Sequence, residues 1–320
     1  MTEQVERVAD VELQKAAAMA RRLAEAVGSA VQVRPDLLDD ILVCLVAEGH
    51  ILIEDLPGVG KTTLARALAR AMDLQFARVQ CTADLLPADV VGTNVFNQRE
   101  SRFEFRPGPI FANVVLVDEI NRASPKTQSG LLECMQEGRV TVDVHSHELA
   151  RPFIVLATQN PIEFEGTYPL PEAQVDRFMA RVSLGYPSPR AEVHMLAAHE
   201  SGDRVEHLTP VASAAALLGA QDAAIRVRVT NPLRAYVVSL LQHTRDDPRV
   251  ELGGSPRAGL MLLRAAKAHA LLAGRDHALP DDVQALAQMV LSHRMVLAPE
   301  AIEETGERVV ADALAATPAL

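Results

Sequence analysis

The stretch EDLPGVGKTT, residues 54–63, decides how the rest of this chain is read. Its end fits the phosphate-loop pattern G-x-x-x-x-G-K-[ST], with Gly60, Lys61 and Thr62 in place, but the position five before Gly60 is Asp55 instead of glycine. The context is that of a working loop. HILIED (50–55) before it is a short apolar run that suits a strand, and KTTLARALARAM (61–72) after it has helical spacing. Gly58 and Gly60 let the backbone turn its N–H groups around phosphate oxygens, and the start of the following helix adds a favourable dipole. Pro57, Gly58, Val59, Gly60, Lys61, Thr62 and Thr63 are therefore the candidate nucleotide contacts. Lys61 would reach the β- and γ-phosphates, and the Thr62 hydroxyl would ligate Mg²⁺. Taken alone, the stretch also reads as a tight glycine turn before an ordinary core helix.

Two further strand ends add chemistry. NVVLVDE (113–119) ends in Asp118 and Glu119, and it lies 57 residues beyond Lys61 with another apparent strand between. Asp118 at the edge of the strand can hold Mg²⁺ through water, and Glu119 can polarise a water for attack on the γ-phosphate. An isolated Asp-Glu pair would more simply cap a strand as it meets solvent. PFIVLATQN ends in Asn160, whose amide can hydrogen-bond both an attacking water and the γ-phosphate. The plainer reading is a loop asparagine before Pro161.

The surrounding pattern predicts the fold. Short apolar runs at 50–55, 76–81, 113–118, 152–158 and 180–185 alternate with helical segments at 61–72 and 124–138, the latter opened by Ser124 and Pro125. Five such runs separated by helices read as a five-stranded parallel sheet buried on both faces, an α/β architecture. Two helices, 10–28 and 35–48, lead into it. After Tyr186 the strand signals stop, and PSPR (187–190) marks an expected hinge. Segments 189–200, 211–224, 231–245, 255–273, 280–293 and 307–315 are Ala/Leu-rich and periodic, an all-helical second domain. The expected division is 1–186 and 187–320.

Composition bounds the function. With 320 residues, 48% hydrophobic and 23% charged, the chain can bury a substantial core. No apolar run is long enough to span a bilayer and the first ten residues are polar and acidic, so a cytoplasmic protein with no membrane span is expected. Cys44, Cys81 and Cys134 sit far apart in apolar surroundings and read as buried thiols. A net charge of −11 without a basic block, and the absence of Trp, argue against nucleic acid as a partner.

GPIFANVVLVDEINRASPKTQSGLLECMQEGRVTVD (108–143) and RPFIVLATQNPIEFEGTYPLPEAQVDRF (151–178) resemble the MoxR family of AAA+ ATPases. That family falls within the helix-2-insert group, which also holds the magnesium-chelatase ATPase subunits and the MCM helicases. The resemblance runs from about residue 12 onward and implies a P-loop core with a C-terminal helical lid. It implies that Arg177 is an arginine finger acting on a neighbouring subunit's nucleotide, and that Arg257 is a sensor 2 arginine reaching the phosphate from the lid. Without the resemblance each would read as a surface or helix-cap charge. It makes 91–110 the insert hairpin facing a pore, and 139–153 a second hairpin before the sensor strand. The alternation in VTVDV suits the second, with His145 and His147 near its solvated turn. Gln80 would couple Glu119 to partner binding. Loops of this family tolerate Asp near position 55, and because a carboxylate facing the triphosphate would repel it, Asp55 is expected to face away.

The implied function is ATP hydrolysis with Mg²⁺ by a hexameric ring that remodels or matures another protein, commonly one bearing a von Willebrand factor A domain. Motion of the lid about Tyr186 would be the output. Two other classes stand beside it. A nucleic-acid motor is suggested by Arg99, Arg102 and Arg106 in the insert hairpin, and DNA-stimulated, salt-sensitive hydrolysis would mark it. A non-hydrolysing ATP-binding scaffold would have no need of Glu119 and Arg177.

Overall fold

A computed structural model describes residues 7–160, 166–186 and 204–319, together with residues 189, 192 and 193. The expected helix at 189–200 otherwise lies outside the described residues. In chain order the N-terminal half runs α1 (Asp10–Ala30), α2 (Pro35–Val46), β1 (Ile51–Glu54), α3 (Lys61–Ala71), β2 (Phe76–Gln80), α4 (Pro87–Val91), β3 (Gly92–Asn97), β4 (Arg102–Pro107), β5 (Val114–Asp118), α5 (Pro125–Glu137), β6 (Arg139–Val142), β7 (His145–Glu148), β8 (Ile154–Gln159), α6 (Glu172–Val175) and β9 (Ala180–Val182). The C-terminal part carries α7 (Ala214–Arg226), α8 (Asn231–Asp246), β10 (Val250–Leu252), α9 (Pro256–Leu272), α10 (Pro280–Leu291), β11 (Val296–Leu297) and α11 (Gly306–Ala316).

The five strands read from the sequence form one sheet in the order β2-β5-β8-β1-β9, every pair parallel. Their side chains alternate between two apolar bodies, as a period of two requires. Ile51, Ile53, Val114, Leu116, Ile154 and Leu156 face one body, while Leu52, Val115, Val117, Val155 and Ala157 face the other. The second body is closed by α5 and Phe178. The first takes in α1, α2 and α3 and continues without a break into Leu240, Leu262, Leu271 and Leu286 of the C-terminal helices. The two leading helices thus share one apolar body with the sheet and with the C-terminal helices.

Local signals set the element ends. Ser124 Oγ accepts from Thr127 N–H at 3.4 Å with Pro125 opening α5, and Gly138 closes it at φ 64°. Ser213, Thr230, Ser255 and Thr305 cap α7, α8, α9 and α11 in the same way. A short antiparallel pair, β10 with β11, joins the C-terminal helices and was not expected from the sequence. Both expected hairpins are present, β3–β4 and β6–β7. They are linked by Asn94 Nδ2 to Asp143 at 2.7 Å and by the His147 ring stacked on Phe105 with centroids 3.9 Å apart. His145 is exposed beside the turn, as expected, whereas His147, two residues further on, is a half-buried packing residue between the hairpins. No helix among the described residues is long and apolar enough to cross a membrane.

Candidate functional site

All five strands are parallel, so their carboxyl ends meet on one edge, where open α/β sheets place ligands. Register fixes what arrives there. Gln80 lies beside Asp118, and Glu54 beside Gln159, next to buried Asn160. The Asp55 N–H extends the β1–β8 pairing by donating to the Gln159 carbonyl at 3.2 Å.

The loop after β1 has the form of a phosphate cradle. Gly58 (φ 85°) and Gly60 (φ 94°) both take left-handed backbone, with open space where a side chain would stand. Gly60 is the residue before α3 and offers no side-chain cap, so the helix's first N–H groups are left for a ligand. Lys61, Thr62 and Thr63 are half-buried in the first turn, while Pro57 and Gly58 are exposed. Lys61 Nζ donates to the Asp55 carbonyl at 3.0 Å, which holds it back along the loop. Asp55 is only 7% exposed and its carboxylate points elsewhere, accepting from Ser183 Oγ at 2.9 Å and from the N–H groups of Leu184 (2.5 Å) and Gly185 (3.2 Å). It faces away from the cradle.

At the end of β5 the two carboxylates are held differently. Asp118 Oδ1 accepts from Thr158 Oγ1 at 2.6 Å, and its Oδ2 pairs with Arg78 at 2.6 Å. Glu119 takes a left-handed backbone, φ 57° and ψ 52°, fixed by its N–H donating to Thr158 Oγ1 at 2.8 Å. Such conformations cost on the order of 1–3 kcal/mol for a non-glycine residue and concentrate at functional sites. Its carboxylate pairs with Arg122 at 3.2 Å and accepts from Gln80 Nε2 at 3.2 Å. The Gln80–Glu119 link was expected from the sequence. Arg78, Arg122 and Thr158 were not, because nothing local in ARVQ, INR or LAT marks them. Arg78, two residues before Gln80 on the same face of β2, also donates to Gln80 Oε1 at 2.8 Å. Cys81 lies against this pair, its thiol pushed up to about 12 by burial and by the charges of Asp118 and Glu119, so it stays protonated.

The two arginines lie apart from this cluster. Arg177 follows the single turn of α6, and its Nη1 donates to the Leu132 carbonyl at 2.8 Å. Its Nε is buried without a partner, as is Gln174 Oε1, and both residues line a cleft of about 280 Å³ with Glu133 and Gln136. Arg257 is half-buried in the first turn of α9 and makes no hydrogen bond or ion pair among the described residues. In the β3–β4 hairpin Arg102 is paired with Glu100 at 2.6 Å and Glu104 at 3.1 Å, which offsets part of the basic character read there.

No cluster of three or more His, Cys, Asp or Glu among the described residues forms a ready metal cage. Thr62 and Asp118 suit Mg²⁺, which keeps several waters and takes phosphate oxygens alongside one or two protein ligands.

Residues 50–180 match the family described as ATPase family associated with various cellular activities (AAA), and residues 242–313 match the AAA lid domain. The chain is 52% identical over 260 residues to the uncharacterized protein YeaC of Bacillus subtilis, covering 81% of each. It is 40% identical over 294 residues to Chaperone MoxR1 of Mycobacterium tuberculosis, covering 89% of this chain and 78% of that one. A crystal structure of a candidate ATPase from Cytophaga hutchinsonii superposes with a TM-score of 0.89 at 36% identity over 97% of both chains.

Proposed function

The chain belongs to the MoxR family of AAA+ ATPases, and on that premise we propose that it hydrolyses ATP with Mg²⁺ as a hexameric ring. Residues 1–186 act as the nucleotide-binding core and 187–320 as the lid. The ring remodels or matures a partner protein, one carrying a von Willebrand factor A domain. The relative named Chaperone MoxR1 supports the chaperone-like reading.

One observation carries the hydrolysis reading: Thr158 holds both halves of the Asp118–Glu119 pair at the sheet edge that carries the Lys61 loop. In this role the Gly58–Gly60 backbone and the Lys61 ammonium bind the phosphates, and Thr62 and Asp118 hold the cation. The cation, when bound, offsets charge that builds on the phosphates. Glu119 takes a proton from water, Asn160 orients that water, and Arg257 and a neighbour's Arg177 stabilise the charge that develops. Until then Arg122 and Gln80 tether Glu119.

Steady-state phosphate release tests this. Wild-type protein should turn over ATP, and Glu119→Gln should bind it with turnover down by roughly 100-fold or more. Equal rates would sink the hydrolase reading. Sedimentation with ATP tests the ring. Affinity capture on Glu119→Gln tests the client, and recovery of no von Willebrand-type protein would remove that assignment.

A further inference from the structure

Arg294 belongs to the C-terminal helices but spends its side chain on the core. It stands just after α10, is 7% exposed, and its Nε pairs with Asp176 Oδ1 at 2.7 Å. Its Nη2 donates to the Phe178 carbonyl at 2.6 Å and to the Asp176 carbonyl at 3.3 Å, while Nη1 reaches the Met179 carbonyl at 3.4 Å. Nη1 also returns to the Val290 carbonyl of the preceding helix, α10. One guanidinium therefore grips residues 176, 178 and 179, on both sides of Arg177.

That grip matters because the Arg177 side chain has few ties of its own, although its N–H donates to the Gln174 carbonyl at 3.1 Å. The helix before it, α6, is a single turn. Among the described residues the side chain makes one hydrogen bond, to the Leu132 carbonyl, and its Nε has none. Beyond it, fully buried Phe178 and the Met179 N–H, which donates to the His50 carbonyl at 2.8 Å, are firmly seated. The direction in which the Arg177 side chain leaves the backbone is thus set by residues 176–179, which from the lid side are held by Arg294, with His293 Nε2 also 3.2 Å from the Phe178 carbonyl.

We propose that Arg294, with Asp176, is a positioning residue for Arg177, through which the lid of one subunit sets the reach of its own arginine into the next subunit's nucleotide site. The proposal rests on the reading of Arg177 as a finger acting between subunits. Burial holds the Arg294 guanidinium below its usual range, with Asp176 opposing and nearby Arg257 adding to the shift, so Asp176 is the partner that keeps a charged group in this position. Any displacement of the residue 292–294 turn relative to the sheet must drag residues 176–179 or break these bonds. A misplacement of about 1 Å at a group acting on the transition state costs on the order of 100-fold in rate.

Mixed rings give the test, because a fault in an arginine that acts on a neighbour is repaired by a neighbour. Arg294→Lys and Asp176→Asn are prepared separately, the second because its side chain is partly exposed and its fold is under less strain should the first fail to assemble. Each should lose turnover by roughly 10- to 100-fold while ATP affinity changes less than about twofold. Each is then mixed with Lys61→Ala subunits, which lack the phosphate-binding lysine but carry an intact Arg177. Phosphate release above that of either parent is the expected result, and Arg177→Ala mixed in the same way is the calibrant. If Arg177→Ala is rescued but neither positioning variant is, or if neither loses turnover, the proposal is overturned while the finger reading stands. If Arg177→Ala itself is not rescued, the finger reading falls and takes the proposal with it.

Discussion

Ser183 donates its hydroxyl to the carboxylate of Asp55 at 2.9 Å, joining the phosphate loop to the segment that leaves the last strand of the sheet. The Leu184 and Gly185 N–H groups converge on the same carboxylate. The residue that departs from the usual loop pattern therefore serves the connection to the C-terminal helices, and its backbone carbonyl meanwhile holds Lys61.

Asp55→Gly should bind ATP no more tightly than wild type, because no carboxylate charge is removed from the cradle. The variant should lose stability by about 1–3 kcal/mol, since the N–H groups of residues 184 and 185 lose their acceptor. Nucleotide titration and thermal melting read the two effects separately. Affinity raised tenfold would mean that the carboxylate acts on the phosphates after all.

Gln80→Ala should raise basal phosphate release by about fivefold, the worth of one hydrogen bond of roughly 1 kcal/mol that now restrains Glu119. Arg122 still tethers the same carboxylate, so a larger gain is not expected from this change alone. Unchanged or slower turnover would show that Gln80 supports Glu119 instead of restraining it.

Arg78→Ala should halve, or more, the Mg²⁺ concentration needed for half-maximal turnover, because the guanidinium 2.6 Å from Asp118 competes with a cation for that carboxylate. The pair is partly exposed, which keeps the effect modest. A Mg²⁺ titration of turnover is the measurement, and a rightward shift would make Arg78 a support for the site, not a competitor.

Stability should fall on acidification below pH 6.5. His50 is buried, its Nε2 against the Met135 carbonyl and its Nδ1 accepting from the Val155 N–H, and burial pushes it down to about 4. His293 is lowered as well, by burial and by adjacent Arg294. Both rings are neutral when folded. The unfolded chain takes up protons first, so their contribution is complete above about pH 6.5 and is lost as pH falls toward 4, by about 3 kcal/mol for His50. Asp40 works the other way: burial, with Asp36 and Asp39 nearby, pushes it up to about 6, so it costs stability above that pH and relieves the cost below. Asp40→Asn should therefore be more stable than wild type at pH 7, on the order of 1 kcal/mol after allowing for its partial exposure, and lose stability more steeply between pH 6 and 4. Urea melts of both proteins across that range decide it.

Much of this was legible because it is local. The continuous apolar runs VVLV and IVLA announce strands buried on both faces, and Ser124-Pro125 announces a helix start. Lys61, Thr62, Asp118, Glu119 and Asn160 are recognisable because each sits at the end of a legible strand or the start of a legible helix. What the sequence hid is what depends on register or on distant packing. Arg78 reaches Asp118 only because β2 pairs with β5, and Thr158 only because β5 pairs with β8. Arg294 meets Asp176 across 118 positions of chain. The β10–β11 pair is too short, at three and two residues, to leave an alternating pattern. The packing of His147 was hidden because its partner, Phe105, lies on another hairpin.

The apolar body that runs from Ile51 and Ile53 through α1 and α2 into Leu262 and Leu286 limits how the C-terminal helices can move. Tyr186 is 75% exposed, yet swinging the helices open about that point would expose packed side chains along their contact with α1 and α2. Movement that preserves the packing is shear, small sliding of one helix face along another. An ATP-driven stroke here would then be short and stiff, delivered as a shift of an ångström or two at the Arg294–Asp176 contact, in place of a wide-opening jaw.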